Sequence, residues 1–79
     1  MYEDLMEVHP PYVQMMVAKY TGQNLPGFSQ TLKAAGLTAS QIRDLLNDFK
    51  SKYSVTLTVE EVENATLDEI IKLLKKRTS

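Results

Sequence analysis

The sequence predicts a small all-α bundle of three main helices plus one short helix, and three observations carry that prediction. Thr38-x-x-Gln41, Thr58-x-x-Glu61 and Thr66-x-x-Glu69 each have the form of a capping box. In that motif the threonine hydroxyl accepts from the third helical amide, and the Gln or Glu side chain reaches back to the threonine N–H. Apolar residues recur at spacings of three and four in three separate segments, as one face of a helix requires. The one stretch with strand-like alternation, Val55 and Leu57 between Ser54, Thr56 and Thr58, has no second strand to pair with and reads as an extended connector.

The 79 residues are read as a single domain, 1–79. A core this small supplies only ~3–5 kcal/mol. Three caps worth about 1 kcal/mol each therefore matter.

Residues 1–9 read as a lead-in, with a short helical stretch around Leu5, Met6 and Val8 that Pro10 interrupts. The first helix is placed over residues 10–21. It opens on Pro10-Pro11, tolerated only in a first turn, carries Val13, Met16, Val17 and Tyr20 as one stripe, and meets Gly22 as its stop. Residues 22–38 form a connection longer than helix–helix loops usually are, so it is expected to pack as structure, with Leu25, Phe28 and Leu32 pinning it. The second helix, 39–53, has the strongest pattern: Ile42, Leu45, Leu46, Phe49 and Tyr53 on one face and Gln41, Arg43, Asp44, Asn47, Asp48 and Lys50 opposite. A short third helix is placed at 59–63. A fourth covers 67–76, with Leu67, Ile70, Ile71 and Leu74 inward and Lys72, Lys75, Lys76 and Arg77 near its end, where cations suit the helix dipole.

Composition narrows the function classes. No cysteine is present, which removes disulfides, thiolate metal sites and thiol redox chemistry. Nine basic and ten acidic residues leave a net charge of −1, not the footprint of a nucleic-acid binder. No apolar run reaches membrane-spanning length, and Met1-Tyr2-Glu3-Asp4 lacks the pattern of a signal peptide, so a cytoplasmic location is expected. His9 is the single histidine, beside two prolines, and no neighbouring pattern gives it a partner for catalysis or metal binding. Glu60, Glu61 and Glu63 cluster at the short helix, where a helix N-terminus explains Glu60 and Glu61 more simply than acid–base work. Gly22, Gly27 and Gly36 lack phosphate-loop spacing. Met16 falls on the core stripe, while Met15 and Tyr12 form an exposed pair. Catalysis by this chain is therefore not expected.

The order long helix, long structured loop, long helix, short helix, final helix resembles the acyl and peptidyl carrier protein family over about residues 11–75. Leu32-Lys33-Ala34-Ala35-Gly36-Leu37 looks like the family's approach to its Gly-x-Asp-Ser-Leu turn, where phosphopantetheine is attached. Tyr53-Ser54-Val55-Thr56-Leu57 is similar to the connector after the second helix, and Thr66-Leu67 to the start of the last one. Counting back from Tyr53 and Leu57 puts Ala39 on the attachment serine, Thr38 on the aspartate and Ser40 on the leucine. The Thr38 cap independently makes Ala39 the first helical residue.

The resemblance implies a carrier-like domain of fatty acid, polyketide or nonribosomal peptide biosynthesis that lacks its attachment hydroxyl. Either the domain is naturally arm-less and acts as a docking or scaffold module, or it is a serine-to-alanine form of a working carrier. Against the second stand Thr38 and Ser40, which depart from the pattern as well. No cofactor is implied for the chain as written. Phosphopantetheine enters only if the parent has serine at position 39, or if Ser40 serves as a fallback site. Partner enzymes or synthase domains would dock on the second and short helices through Ser40, Arg43, Asp44 and Asn47, with Glu60 and Glu61 nearby. The family's free-standing members are often acidic along the second helix, whereas here the sign alternates. The alternative is a helical interaction domain unrelated to acyl transfer; a carrier-like loop packs Phe28 or Leu32 against the second helix and presents residues 38–40 at an exposed corner, whereas a crossed bundle buries them.

Overall fold

The computed structural model describes residues 8–22 and 24–78. They form α1 (Pro10–Ala18), α2 (Ala39–Tyr53), α3 (Val59–Val62) and α4 (Leu67–Thr78), with no strand among the described residues. The all-α class and the three-plus-one arrangement are as the sequence predicts. The lead-in expected around Leu5 and Met6 lies outside the described residues, while Val8 is buried.

Each helix starts for a local chemical reason. His9 is extended (φ −105°, ψ 120°), as a residue before proline prefers, and α1 begins at Pro10. Thr38 Oγ1 accepts from the Gln41 amide at 3.2 Å while Gln41 Oε1 accepts from the Thr38 amide at 2.9 Å. Thr58 and Glu61 close the same box at 3.2 and 3.1 Å, and Thr66 and Glu69 at 3.3 and 2.9 Å.

The start of α4 shows how completely such ends are satisfied. Its first four amides have no partner within the helix. Counting from the Thr66 cap, Thr66 donates to Glu69 Oε1 (2.9 Å), Leu67 to the Gln30 carbonyl (2.8 Å), Asp68 to the Phe28 carbonyl (2.9 Å) and Glu69 to the Thr66 hydroxyl, and Ile70 then makes the first helical bond, to the Thr66 carbonyl. The long connection thus docks onto α4 through its backbone, and an isolated bridge between Thr31 and Thr66 marks the seam.

Within that connection, residues 31–37 make one capped helical turn. Thr31 Oγ1 accepts from the Ala34 amide, Gly36 N–H donates to the Lys33 carbonyl, and Leu37 N–H donates to the Leu32 carbonyl. The last two bonds have the spacing of a Schellman stop, with Gly36 at φ +104° as the glycine it requires.

Two expectations about this segment are corrected. Leu25 is 63% exposed and Phe28 40% exposed, so neither pins the loop; Leu32, at 1%, and buried Pro26 do. Gln14 Nε2 holds the Pro26 carbonyl at 2.9 Å, and the Phe28 carbonyl is engaged at α4 while its ring stays half out. Hydrophobicity alone did not distinguish these side chains, because backbone hydrogen bonding fixes the path. Helix boundaries also shift slightly. α1 ends at Ala18 with Lys19, still bonded to the Met15 carbonyl, as its cap, and Tyr20 and Thr21 wind on through bonds to Val17 and Ala18 before Gly22 turns at φ +72°. α3 is one residue shorter than expected and α4 two residues longer, an ordinary spread for helix ends.

α1 packs on α2 and α4, and α3 packs on α2. The core joins Val13 and Val17 of α1 to Ile42, Leu45, Leu46, Phe49 and Tyr53 of α2 and Leu67, Ile70, Ile71 and Leu74 of α4. Val55 and Leu57 of the extended connector complete it, as expected. Ser54 ends α2 in the left-handed region (φ 57°), so the connector leaves at a sharp angle.

Among the described residues, one buried side-chain polar atom has no hydrogen-bond partner. The Tyr53 ring is 1% exposed and its hydroxyl is unsatisfied; desolvation raises the phenol above its ordinary value. A buried donor left unmade costs ~1–3 kcal/mol. Tyr53→Phe is therefore expected to match or exceed the parent in stability, by up to about 1 kcal/mol. Urea unfolding checks this, and a clear loss of stability would mean that the hydroxyl is satisfied in solution.

Candidate functional site

Thr38 is the extended N-cap and Ala39 the first residue of α2, so the position predicted for the attachment serine lies at the outer end of a helix. Thr38, Ala39 and Ser40 are all exposed, and Leu32 just upstream is buried in the core that also holds Ile42 and Leu45. The corner is firmly held. Besides closing the box with Thr38, Gln41 donates from Nε2 to the Tyr20 carbonyl at 3.3 Å, tying the first turn of α2 to the end of α1. Two turns later, Asp48 accepts from the Tyr20 hydroxyl at 2.5 Å and pairs with Lys19 at 3.2 Å. The Asp48 hydrogen bond raises the Lys19 pKa, and Tyr20 is raised mainly by desolvation and then by Asp48. This brace was not read from the sequence. Its partners are 21, 28 and 29 residues apart, and only the sign match of Lys19 and Asp48 hinted at it.

Ser40, Arg43, Asp44 and Asn47 stand at i, i+3, i+4 and i+7 and are exposed together on the outer side of α2. Glu60 is exposed on α3. Glu61 differs from the expectation of a partner-facing carboxylate. It closes the α3 capping box, and both of its oxygens take the Arg77 guanidinium, which also donates to the Thr56 carbonyl at 3.1 Å. Glu61 is thereby committed to holding α3 against the end of α4. Arg77, expected to serve the α4 dipole with its lysine neighbours, works across the fold instead. Lys33 and Glu63 add a second tie at 2.8 Å.

The Arg77 hydrogen bond, then the Thr58 amide, hold the Glu61 carboxyl below its ordinary value of 4.5; the Thr66 amide and hydroxyl do the same for Glu69. A carboxyl whose folded pKa is lowered contributes stability that is fully present above 4.5 and is lost as pH falls through the folded value. The thermal midpoint is therefore expected to drop on acidification below about pH 4.5. Glu61→Gln keeps an amide that can cap, as Gln41 does, but loses the charge, so its midpoint should fall less steeply with acid. Superimposable profiles for parent and variant would contradict this assignment.

A shallow hollow of about 410 Å³ lies between α3 and α4, with Ala65 and Leu73 as its apolar lining and Glu61, Glu69, Lys72 and Lys76 around it. His9 meets the Tyr12 ring edge-on at 5.5 Å and lines a separate hollow with Pro11 and Tyr12. Met15 and Tyr12 are exposed, as read. Among the described residues no group of three His, Cys, Asp or Glu converges on a metal-sized space, and no helix is long and apolar enough to cross a membrane.

No family model matches the chain, and comparison with characterised proteins and with solved structures finds no significant similarity.

Chemically, the corner at 38–40 offers a methyl group where a carrier needs a nucleophilic oxygen. Ala39 does not fit phosphopantetheine attachment. Ser40 has a hydroxyl and is exposed, but it stands one residue along the helix, rotated by about 100°.

Proposed function

We propose that this chain is a carrier-protein-like docking domain of fatty acid, polyketide or nonribosomal peptide biosynthesis that engages partners without carrying cargo. The observation that carries the reading is the capped, exposed corner at residues 38–40. Ala39 opens α2 behind the Thr38–Gln41 box while Leu32 anchors the preceding loop in the core. A buried loop residue followed by a solvent-facing first helical residue is the arrangement that the resemblance implies, and it supports the reading. The partner-facing residues are Ser40, Arg43, Asp44 and Asn47 on α2 with Glu60 on α3. Glu61 serves the fold.

Within this reading the chain catalyses no reaction and binds no cofactor of its own. Its role is to present a rigid helical face beside a vacant attachment point, in a cytoplasmic setting with the biosynthetic enzymes as partners. The test is modification by coenzyme A and a broad-specificity phosphopantetheinyl transferase. The unaltered chain is expected to keep its mass and Ala39→Ser to gain one phosphopantetheine. Failure of the variant to load, with an accepted carrier loading alongside, would overturn the reading.

A further inference from the structure

The outer side of α2 is not evenly charged once internal pairing is taken into account. At 100° per residue, Arg43 and Lys50, seven positions apart, lie along one edge; Asp44 and Asp48 lie along the other, which faces α1. Ser40, Asn47 and Ser51 form the crest between them. On the α1 edge Asp48 is partly buried and neutralised, with Lys19 and Tyr20 both on its Oδ2. On the opposite edge the Arg43 and Lys50 side chains are exposed, and among the described residues neither side chain has a hydrogen bond, ion pair or ring contact. Of the other cations, Lys33 pairs with Glu63, Lys72 with Asp68 and Arg77 with Glu61, Lys52 lies over the Tyr12 and Tyr53 rings, and Lys75 and Lys76 stand in the last turn of α4, where the helix dipole favours them. Lys50 also complements the C-terminal end of the helix dipole. Arg43, in the second turn, gains nothing from it, because the effect is confined to the terminal turns. A guanidinium held out with no internal partner is a group left for something else.

We infer that this edge of α2 docks an acidic helix of the partner, through two carboxylates spaced to meet Arg43 and Lys50. Seven residues of α2 rise about 10.5 Å, so a partner helix lying alongside offers the match with acidic residues at i and i+7. Asn47, one turn from Arg43, supplies a neutral donor and acceptor between them. The inference rests on reading α2 as the docking face, and it reverses the sign a strongly acidic second helix would present. Asp44 at the far edge then disfavours a second acidic contact and fixes which way the partner helix leans.

The experiment uses the full ¹⁵N-labelled chain and two synthetic alanine-rich helical peptides that differ only in bearing Glu or Lys at i and i+7. The Glu peptide is expected to shift amide signals within residues 40–51, with millimolar affinity because the pairs are exposed. That affinity should weaken about fivefold or more between low and ~0.5 M salt. Arg43→Glu with Lys50→Glu, a surface change whose folding is checked in the same spectra, should exchange the preference so that the Lys peptide binds at the same residues. Equal shifts with both peptides, shifts confined to residues 72–78, or no shift at several millimolar Glu peptide would each overturn the inference. Because no loading is measured, the outcome is independent of whether Ala39→Ser accepts phosphopantetheine.

Discussion

Phe49→Ala is expected to leave the domain without a stable fold at 25 °C. Phe49 is completely buried midway along α2, packs beside Tyr53 at a ring separation of 6.4 Å, and shares the core with residues of α1 and α4. Removing a buried aromatic ring costs ~3–5 kcal/mol in lost transfer energy and cavity formation. A core of this size supplies about that much in total. The loss should appear as a collapsed near-ultraviolet signal and a urea curve with no native baseline. Phe49→Leu, which keeps most of the volume, should remain folded with a loss below about 1.5 kcal/mol. A folded, cooperative Phe49→Ala protein would mean that the three helices do not share one core.

The second large effect falls on a residue with no side chain. Gly36 stands at φ +104°, and a Cβ placed on it would meet nothing within 4 Å. Space is therefore not the issue, and Gly36→Ala isolates the backbone penalty of a conformation that L-residues avoid. About 1–3 kcal/mol is expected. The consequence is local as well as global, because Gly36 ends the turn that delivers Leu37 to the core and Thr38 to its capping position. A D-alanine introduced by chemical synthesis has the opposite handedness and should be tolerated, which separates strain from loss of packing. Equal stability of the L-alanine variant and the parent would show that the turn relaxes to negative φ.

Helix starts were legible in the sequence because the chemistry that makes them is local. Thr38, Thr58 and Thr66 each find their partner three residues away, and all three boxes close. The stripes of α2 and α4 were legible for a similar reason, since burial of Ile42 through Tyr53 follows helical spacing alone. What escaped is what joins distant residues. The carbonyls of Phe28 and Gln30 complete the start of α4 from across the chain, and no side-chain pattern encodes a backbone acceptor. Glu61 is legible as the capping partner of Thr58, but its pairing with Arg77, 16 residues later, is not. Of the three side chains that look like anchors by composition, Leu32 is buried while Leu25 and Phe28 are exposed, and Pro26 is buried in their place. The candidate site was half legible: the exposed stripe Ser40, Arg43, Asp44 and Asn47 follows from α2's period, whereas the Gln41 and Asp48 brace beneath it needed the packing of α1.

The reading of the corner at residues 38–40 is tested most directly by locating an added phosphopantetheine. The unaltered chain, Ala39→Ser, and Ala39→Ser combined with Ser40→Ala are incubated with coenzyme A and a broad-specificity transferase, then fragmented in a mass spectrometer. The account predicts no addition to the first and a single addition at position 39 in the other two. Modification of the unaltered chain at Ser40, or loading of none of the three while an accepted carrier loads in the same mixture, would contradict it.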